Sequence, residues 1–175
     1  MTTADIIALC HETGPFLVIG GHAVIAHGHA RNTIDLDLLV RREDRSLWKM
    51  GLMRIGYVCR NSHDNFEQFQ SQSGDIDVDL MFVNAPTFDG MMGTAKEINF
   101  GSVSARVPSL LHLIALKLHV LKQGLEHRVI GDLDDVIQLI LLNRVDVNSA
   151  EWKEVFAKHG NKLLYEKIRR ATSPD

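Results

Sequence analysis

The chain has 175 residues, with 19 Lys and Arg against 22 Asp and Glu, a formal net charge of -3 and a pI near 6.3. This length allows one core that buries about 70% of the unfolded surface. The weak negative charge excludes a protein that coats nucleic acid through its overall charge, although a local basic patch can still bind an RNA end. The N-terminus lacks a signal-peptide profile and the apolar runs are too short to span a bilayer, so we expect a soluble, cytoplasmic protein.

Helical and extended patterns alternate through the first part of the chain. A glycine-proline pair ends the first helix, and the later strands are short apolar runs bounded by turn residues. In chain order, we predict a helix over 5–12, a strand over 16–19, a helix over 22–27, a strand over 33–40, a helix over 41–55, and strands over 57–59, 66–69 and 76–83.

The second part of the chain becomes helical after one hairpin. Strands over 97–100 and 103–107 surround a Gly-Ser turn, and the stretch 88–92 before them has only a weak pattern. Predicted helices follow over 110–122, from 131 or 132 to 142, over 150–158 and over 162–171. We therefore predict an α/β (α+β) fold, a mixed sheet flanked by helices, with a core over 1–107 and a helical C-terminal subdomain over 108–175.

Two aspartates one residue apart interrupt an apolar run. Asp35 and Asp37 lie in the predicted strand over 33–40, and the other residues of this strand after Asp35 are all Leu or Val. Since alternate strand residues face the same side, the two carboxylates would project together and repel unless a cation lies between them. Oxygen ligands favour Mg²⁺, with Mn²⁺ as a substitute, commonly held by one or two carboxylates plus substrate phosphates. The pattern therefore predicts a metal site for a nucleotide.

A glycine pair, Gly20-Gly21, follows the predicted strand over 16–19. Such a pair is typical of a tight turn between a strand and a helix. It also allows a triphosphate to approach the backbone N–H groups where the helix beginning near His22 would favour an anion. The residues alone leave both interpretations open.

A second acidic stretch supplies a third carboxylate. Asp75, Asp77 and Asp79 share one face by period two, so their spacing does not distinguish among them. Asp79 is directly followed by an apolar run, whereas Asp77 could be a neighbouring carboxylate that supports the site or lies in solvent.

Around these acids the chain resembles the nucleotidyltransferase superfamily that shares the polymerase-beta palm. The stretch from Asp79 to Phe82 is similar to the strand that carries the third carboxylate in that superfamily. The residues that carry the signature are Gly20, Gly21, His22, Arg31, Thr33, Asp35 and Asp37.

A later segment resembles the AbiEii-like branch of this superfamily. The similarity consists of a helix after Pro108 that carries Lys117, then Arg128, and then an acidic stretch with Asp132 and Asp135. With this segment the resemblance extends from about residue 14 to residue 142.

The resemblance implies a metal-dependent enzyme that transfers a nucleoside monophosphate from an NTP to an acceptor hydroxyl. It assigns Asp35, Asp37 and Asp79 as metal ligands and catalytic groups. Residues expected around the nucleotide are Gly20, Gly21, His22, Arg31 and Thr33. Arg31 could instead contact solvent.

Lys117 is the fourth expected catalytic residue. The resemblance suggests that its ammonium neutralises the outer phosphates from a wet cleft, where a lysine contributes little to stability. The alternative is a cation on the solvated face of an amphipathic helix.

The acceptor is not defined by the sequence. An AbiEii-like toxin would act on RNA, tRNA included, and would have a cognate antitoxin protein as partner. A second interpretation is an enzyme that modifies an aminoglycoside or lincosamide hydroxyl, and a third is a degenerate nucleotide-binding protein that acts through protein interactions. The basic tail offers possible RNA contacts, but a solvated helix face is the preferred explanation.

Overall fold

The computed structural model describes residues 1–124 and 126–173, with side chains described outside 126–130. The chain forms two compact units. The first contains Met1–Ala26 and Arg31–Ser109, and the second contains His27–Ala30 and the chain from Leu110 onward. The predicted division after residue 107 lies two residues before Ser109, but the sequence did not suggest that the short segment 27–30 belongs with the helices.

The first unit is built on a mixed five-stranded sheet, as the sequence predicted. The strand order is β1-β2-β5-β4-β3, in which β2 and β5 are parallel and the other neighbours are antiparallel. A separate antiparallel hairpin, β6-β7, turns at Gly101-Ser102 as expected. The elements are α1 (Thr3–His11), β1 (Leu17–Val18), α2 (Gly20–Ala26), β2 (Leu36–Arg41), a 3-10 turn (Arg42–Asp44), α3 (Arg45–Arg54), β3 (Tyr57–His63), β4 (Phe66–Ser71), β5 (Val78–Val83), α4 (Ala85–Gly93), β6 (Lys96–Phe100) and β7 (Val103–Val107).

Alternation along the central strands separates an apolar face from a face that carries the acids. Leu36, Leu38 and Val40 of β2 are fully buried, as are Val78 and Leu80 on the same face of β5. Burial of each such side chain contributes about 1.5–3 kcal/mol to folding. The odd-numbered residues of both strands therefore face the opposite side, where Asp37 and Asp79 lie.

Helix α3 is attached to this sheet by an ion pair between a half-buried arginine and a buried glutamate, as well as by apolar contacts. The Arg45 guanidinium donates to Glu67 Oε1 at 3.1 Å from Nε and 2.8 Å from Nη2. Its central carbon also lies 5.0 Å from the centroid of the Phe82 ring. Trp48 of the same helix is fully buried and meets the Phe16 ring edge to face. Arg45 and Trp48 thus hold α3 against the strands.

Helix α4 occupies the stretch that the sequence left without an assignment. Gly90 and Gly93 weaken its helical propensity, which explains the faint pattern. Asn84 nevertheless accepts a hydrogen bond from Thr87 N at 2.9 Å, and a proline lies in the first turn. Phe88 is fully buried and supports the helix through tertiary packing. The capping residues could have indicated a helix from the sequence, but the burial of Phe88 is what stabilises the helix.

The second unit consists of helices in the part of the chain that is described. They are α5 (Leu110–Lys122), α6 (Glu126–Leu142), α7 (Ala150–His159) and α8 (Lys162–Thr172). The bounds of α5 coincide with the prediction. Helix α6 begins earlier than predicted, and Gly131 and Asp132 lie within the helix and not at its start. Packing against α5 offsets the cost of a glycine inside a helix. None of the helices in residues 1–124 and 126–173 is long and apolar enough to cross a membrane.

We expect Asn84→Ala to lower the free energy of unfolding of the first unit by about 1 kcal/mol, since it removes the N-cap acceptor of α4. Asn84→Ser should retain most of the stability because serine also caps. Urea unfolding monitored by circular dichroism measures both variants. Equal losses in the two variants would show that the cap is not the source of stability.

Candidate active site

The parallel pairing of β2 with β5 places Asp37 beside Asp79. The two residues are direct register partners, on strands that lie about 4.8 Å apart, and their side chains leave the same face of the sheet. Asp79 is 6% exposed and Asp37 is half-buried. A carboxylate pair in this position repels when both members are ionised, and a bound cation removes the repulsion.

Gly20 gives the Asp37 carboxylate its space. A Cβ atom built on Gly20 would lie 1.9 Å from Asp37 Oδ2 and 2.5 Å from its Cγ, so no larger residue fits there. Gly20 also has φ of 59°, a conformation that side chains with a Cβ rarely adopt. The backbone N–H of Ile19 donates to the Asp37 carbonyl at 2.9 Å and joins the turn to β2. The glycine turn and the Asp37 strand are therefore one packed unit.

Gly21 leaves space for the Thr33 side chain in the same way. A Cβ on Gly21 would lie 2.5 Å from Thr33 Oγ1, and that hydroxyl donates to the Asp35 carbonyl at 3.4 Å. Both glycines thus make room for side chains of the segment that carries the acids. Contact of this turn with a phosphate, which the sequence suggested, stays a prediction.

Asp35 does not share a strand with Asp37. The ladder between β2 and β5 begins at Leu36, opposite Val78, so Asp35 lies one residue before the first pair. The predicted strand over 33–40 is wrong at this end, because a strand needs a neighbour that supplies ladder hydrogen bonds. Asp35 is half-buried at the edge of the site.

The two other acids of the second acidic stretch have local partners. Asp77 Oδ1 accepts from the Ser71 backbone N–H at 3.2 Å, and Asp75 Oδ2 accepts from Ser71 Oγ at 3.0 Å. Both residues precede β5. This placement favours Asp79 over Asp77 as the third carboxylate, and the functional role of Asp79 stays a prediction.

A glutamine that the sequence analysis did not single out contacts Asp79. Gln68 of β4 is the register partner of Asp79, and its Nε2 donates to Asp79 Oδ2 at 3.3 Å. Asn61 of β3 is in turn the register partner of Gln68 and donates to its Oε1 at 2.6 Å. The alternation of β4 showed which side Gln68 faces, but only the strand register shows which residue it meets.

The remaining residues expected around the nucleotide have identifiable contacts. The His22 ring meets the Phe100 ring edge to face at 5.6 Å, and burial lowers the pKa of His22, which favours the neutral imidazole. Arg31 is exposed, and its Nε donates to the Asn32 carbonyl at 3.2 Å. Nucleotide binding by His22 and Arg31 stays a prediction.

In the second unit, Lys117 is part of a buried ion cluster. Its Nζ lies 2.6 Å from Asp132 Oδ1 and 2.7 Å from Asp135 Oδ2, and its side chain is only 8% exposed. Lys117 is therefore not a cation on a solvated helix face, because α6 supplies two carboxylates to this position of α5, and its contact with the outer phosphates stays a prediction. The three residues of the AbiEii-like similarity whose side chains are described lie together, while the Arg128 side chain falls outside the described residues.

Segment 27–30 is attached to the same helices. His29 Nε2 lies 3.7 Å from both Asp134 Oδ2 and Asp135 Oδ1, and Asn143 Nδ2 donates to the His27 carbonyl at 3.0 Å. These contacts explain why four residues between α2 and β2 belong to the helical unit.

The chemistry of the acid pair fits Mg²⁺ or Mn²⁺. In residues 1–124 and 126–173, no three His, Cys, Asp or Glu side chains form a ready metal cluster. The pair Asp37 and Asp79 supplies adjacent oxygen donors, and Gly20 leaves space for one of them. Mg²⁺ is commonly bound by one or two carboxylates, with substrate phosphates and water completing the shell.

Solved structures share this fold. ANT(2″)-Ia in complex with adenylyl-2″-tobramycin has a TM-score of 0.62 at 16% identity, with 96% of this chain and 95% of that chain covered. An antigenic nucleotidyltransferase-like protein from Paracoccidioides brasiliensis has a TM-score of 0.58 at 15% identity, covering 97% and 89%. The lincomycin-bound lincosamide antibiotic adenylyltransferase LnuA has a TM-score of 0.51 at 15% identity, covering 75% and 93%.

These similarities define the architecture as a nucleotidyltransferase fold. At such low identities they show the fold alone. No family model matches the sequence, and no curated protein matches it either.

We predict that Gly20→Ala destabilises the first unit by more than the roughly 1–3 kcal/mol of backbone strain at a positive φ, since the added methyl group also collides with Asp37. Gly28→Ala is the control, because Gly28 has φ of 100° and open space around it. Thermal unfolding compares the two. A Gly20→Ala effect no larger than that of Gly28→Ala would contradict the close approach.

We expect Lys117→Ala to cost about 3–5 kcal/mol of stability, because it leaves Asp132 and Asp135 without the ammonium between them. Lys122→Ala, at an exposed position of the same helix, should change stability by less than about 0.5 kcal/mol. Chemical unfolding of both variants measures the difference. Similar small effects in the two variants would show that this ion cluster contributes little to stability.

Proposed function

We propose that this protein transfers a nucleoside monophosphate from an NTP to an acceptor hydroxyl. The observation that carries the proposal is the register pairing of Asp37 with Asp79, beside a glycine turn that makes room for the Asp37 carboxylate. The nucleotidyltransferase fold supports it. In the reaction, the acceptor oxygen attacks the alpha phosphorus of the NTP, and pyrophosphate leaves.

The three acids have different proposed roles. Asp35 and Asp37 would bind the cation that carries the triphosphate, and Asp79 would serve the acceptor side, where it would ligate the cation that activates the hydroxyl or accept the proton of the hydroxyl. Mg²⁺ or Mn²⁺, when bound, supplies charge stabilisation and lowers the pKa of the acceptor hydroxyl. Thr33 supports the segment that carries Asp35 through its hydrogen bond to the Asp35 carbonyl. Gly20, Gly21, His22 and Arg31 are proposed to surround the nucleotide.

Lys117 is proposed to neutralise the outer phosphates. An ammonium has three donors, and among the described side chains two of them are directed at Asp132 and Asp135, so the third would serve a phosphate oxygen. The two carboxylates would then set the direction of that donor. Charge-assisted contacts of this type are among the stronger hydrogen bonds.

Two acceptor classes follow from different observations. The AbiEii-like similarity of Lys117, Asp132 and Asp135 supports a toxin that acts on RNA and is paired with an antitoxin protein. The similarity to ANT(2″)-Ia over nearly the full length of both chains favours a small acceptor such as an aminoglycoside, and LnuA points to a lincosamide. We propose the RNA acceptor as the first hypothesis to test and the antibiotic hydroxyl as the second.

The deciding experiment incubates the protein with each labelled NTP, with Mg²⁺, Mn²⁺ or EDTA, and with either total RNA or a panel of aminoglycosides and lincosamides. Label on RNA supports the toxin, and label on an antibiotic supports the modifying enzyme. Nucleotide binding without transfer to any acceptor would favour the degenerate binding protein.

We predict that Asp37→Asn abolishes both Mg-NTP binding and transfer, whereas Asp79→Asn lowers transfer at least 100-fold and retains much of the nucleotide affinity. The reason is that Asp37 acts on the triphosphate and Asp79 on the acceptor oxygen. Calorimetry and turnover assays measure the two effects. Asp77→Asn is the matched control, and loss of transfer in that variant with wild-type turnover in Asp79→Asn would reverse the assignment.

A further inference from the structure

A row of hydrogen-bonded side chains crosses three neighbouring strands and ends at Asp79. Asn61 Nδ2 donates to Gln68 Oε1 at 2.6 Å, and Gln68 Nε2 donates to Asp79 Oδ2 at 3.3 Å. Each residue is the register partner of the next, and Asp37 follows Asp79 in the same row. The acid pair is therefore continued by two amides.

The chemistry of the carboxylate determines the direction of both amides. An ionised Asp79 only accepts hydrogen bonds, so Gln68 must turn its NH₂ group toward it. The Gln68 carbonyl then faces Asn61, which must present its own NH₂ group. The donor and acceptor assignments are consistent along the whole row.

An irregularity in β3 places Asn61 in this row. Cys59 pairs with Phe69, so an unbroken antiparallel register would put Arg60 opposite Gln68. The register shifts between Cys59 and Asn61, and Asn61 becomes the partner of Gln68. Arg60 instead donates to Gln70 Oε1 at 2.8 Å. The shift places the Asn61 amide in the row and leaves the Arg60 guanidinium outside it. Such irregularities often redirect a side chain near an active site.

We propose that Gln68, oriented by Asn61, is a positioning residue that holds the Asp79 carboxylate in its working direction beside Asp37. The inference rests on the proposed function, since it concerns the same site. An aspartate rotates easily about its last side-chain bond, and a functional group needs an orientation held within about 10–20°. A donor from the neighbouring strand supplies that restraint. A merely structural cross-strand pair would contribute to stability and not to the site.

The test uses two substitutions that disturb the row in different ways. Gln68→Met removes the donor at similar length. Asn61→Asp leaves Gln68 in place but reverses its amide, because the new carboxylate attracts the Gln68 NH₂ group and turns the carbonyl toward Asp79. Asn61→Ala removes the orienting partner without reversing the amide, so its effect should be smaller.

Gln70 supplies the matched controls. It lies two residues after Gln68 on the same strand, and its amide accepts from Arg60. Gln70→Met repeats the loss of a glutamine amide. Gln70→Glu adds a carboxylate about 8 Å from Asp79 along the diagonal between adjacent strands, somewhat nearer than residue 61 at about 10 Å, without reversing Gln68.

We expect Gln68→Met and Asn61→Asp to lower kcat about 10-fold to 100-fold, the range typical of residues that orient a ligand, with the KM for NTP nearly unchanged. The affinity of the protein for Mn²⁺ alone, measured by calorimetry, should fall by a similar factor. Both Gln70 variants should behave as wild type, and all variants should keep their melting temperature within a few degrees.

Separate outcomes identify which idea fails. If the wild type transfers no nucleotide but binds Mn²⁺ through Asp37, and Gln68→Met weakens that binding while Gln70→Met does not, the proposed function fails and the positioning role stands. Wild-type kcat and Mn²⁺ affinity in Gln68→Met would overturn the positioning role. So would equal losses in Gln70→Met, or absence of Mn²⁺ binding by the wild type. If Gln68→Met does not fold, Asn61→Asp at the exposed end of the row decides alone, and wild-type behaviour there overturns the inference.

Discussion

The candidate site depends on one structural constraint, the parallel pairing of β2 with β5. These strands are distant in sequence, and their register brings Asp37 and Asp79 to adjacent positions on one face. The opposite face of the same strands is fully buried, so a slip by one residue would exchange the acids with core leucines and valines. The hydrophobic core therefore enforces the position of the carboxylates, and the stability of the sheet and the geometry of the candidate site are linked through the same ladder.

The glycine turn extends this constraint to the loop before β2. Gly20 and Gly21 have no side chains of their own, and the space is occupied by Asp37 and Thr33. The positive φ of Gly20 adds a second reason for glycine at that position. The pair thus serves the packing of the acids, whether or not a phosphate also approaches the turn.

In the helical unit, a cluster of charged side chains has a similar packing role. The Lys117 ammonium lies between Asp132 and Asp135, in a place where any one of the three charges would be costly alone. Asp135 also lies near His29, so segment 27–30 is attached to the same cluster. These charged residues therefore organise the packing of α5, α6 and this segment.

The sequence by itself determined the local features. Periodicity and capping residues were sufficient for the α/β character, the bounds of α5 and the β6-β7 turn, because these depend on neighbours along the chain. The Asp-x-Asp pattern after two glycines was sufficient to suggest the site. The roles of those acids stay predictions.

Only the tertiary structure decided which residues meet. The spacing of three acids at period two did not distinguish among them, and the ladder placed Asp79 beside Asp37 while Asp75 and Asp77 precede β5. Gln68 and Asn61 were inconspicuous until register placed them in the row of Asp79, and the carboxylate partners of Lys117 became apparent only when α6 was placed beside α5. The physical reason is that strand register and helix packing are set by the sum of contacts over the whole core, which no local pattern contains.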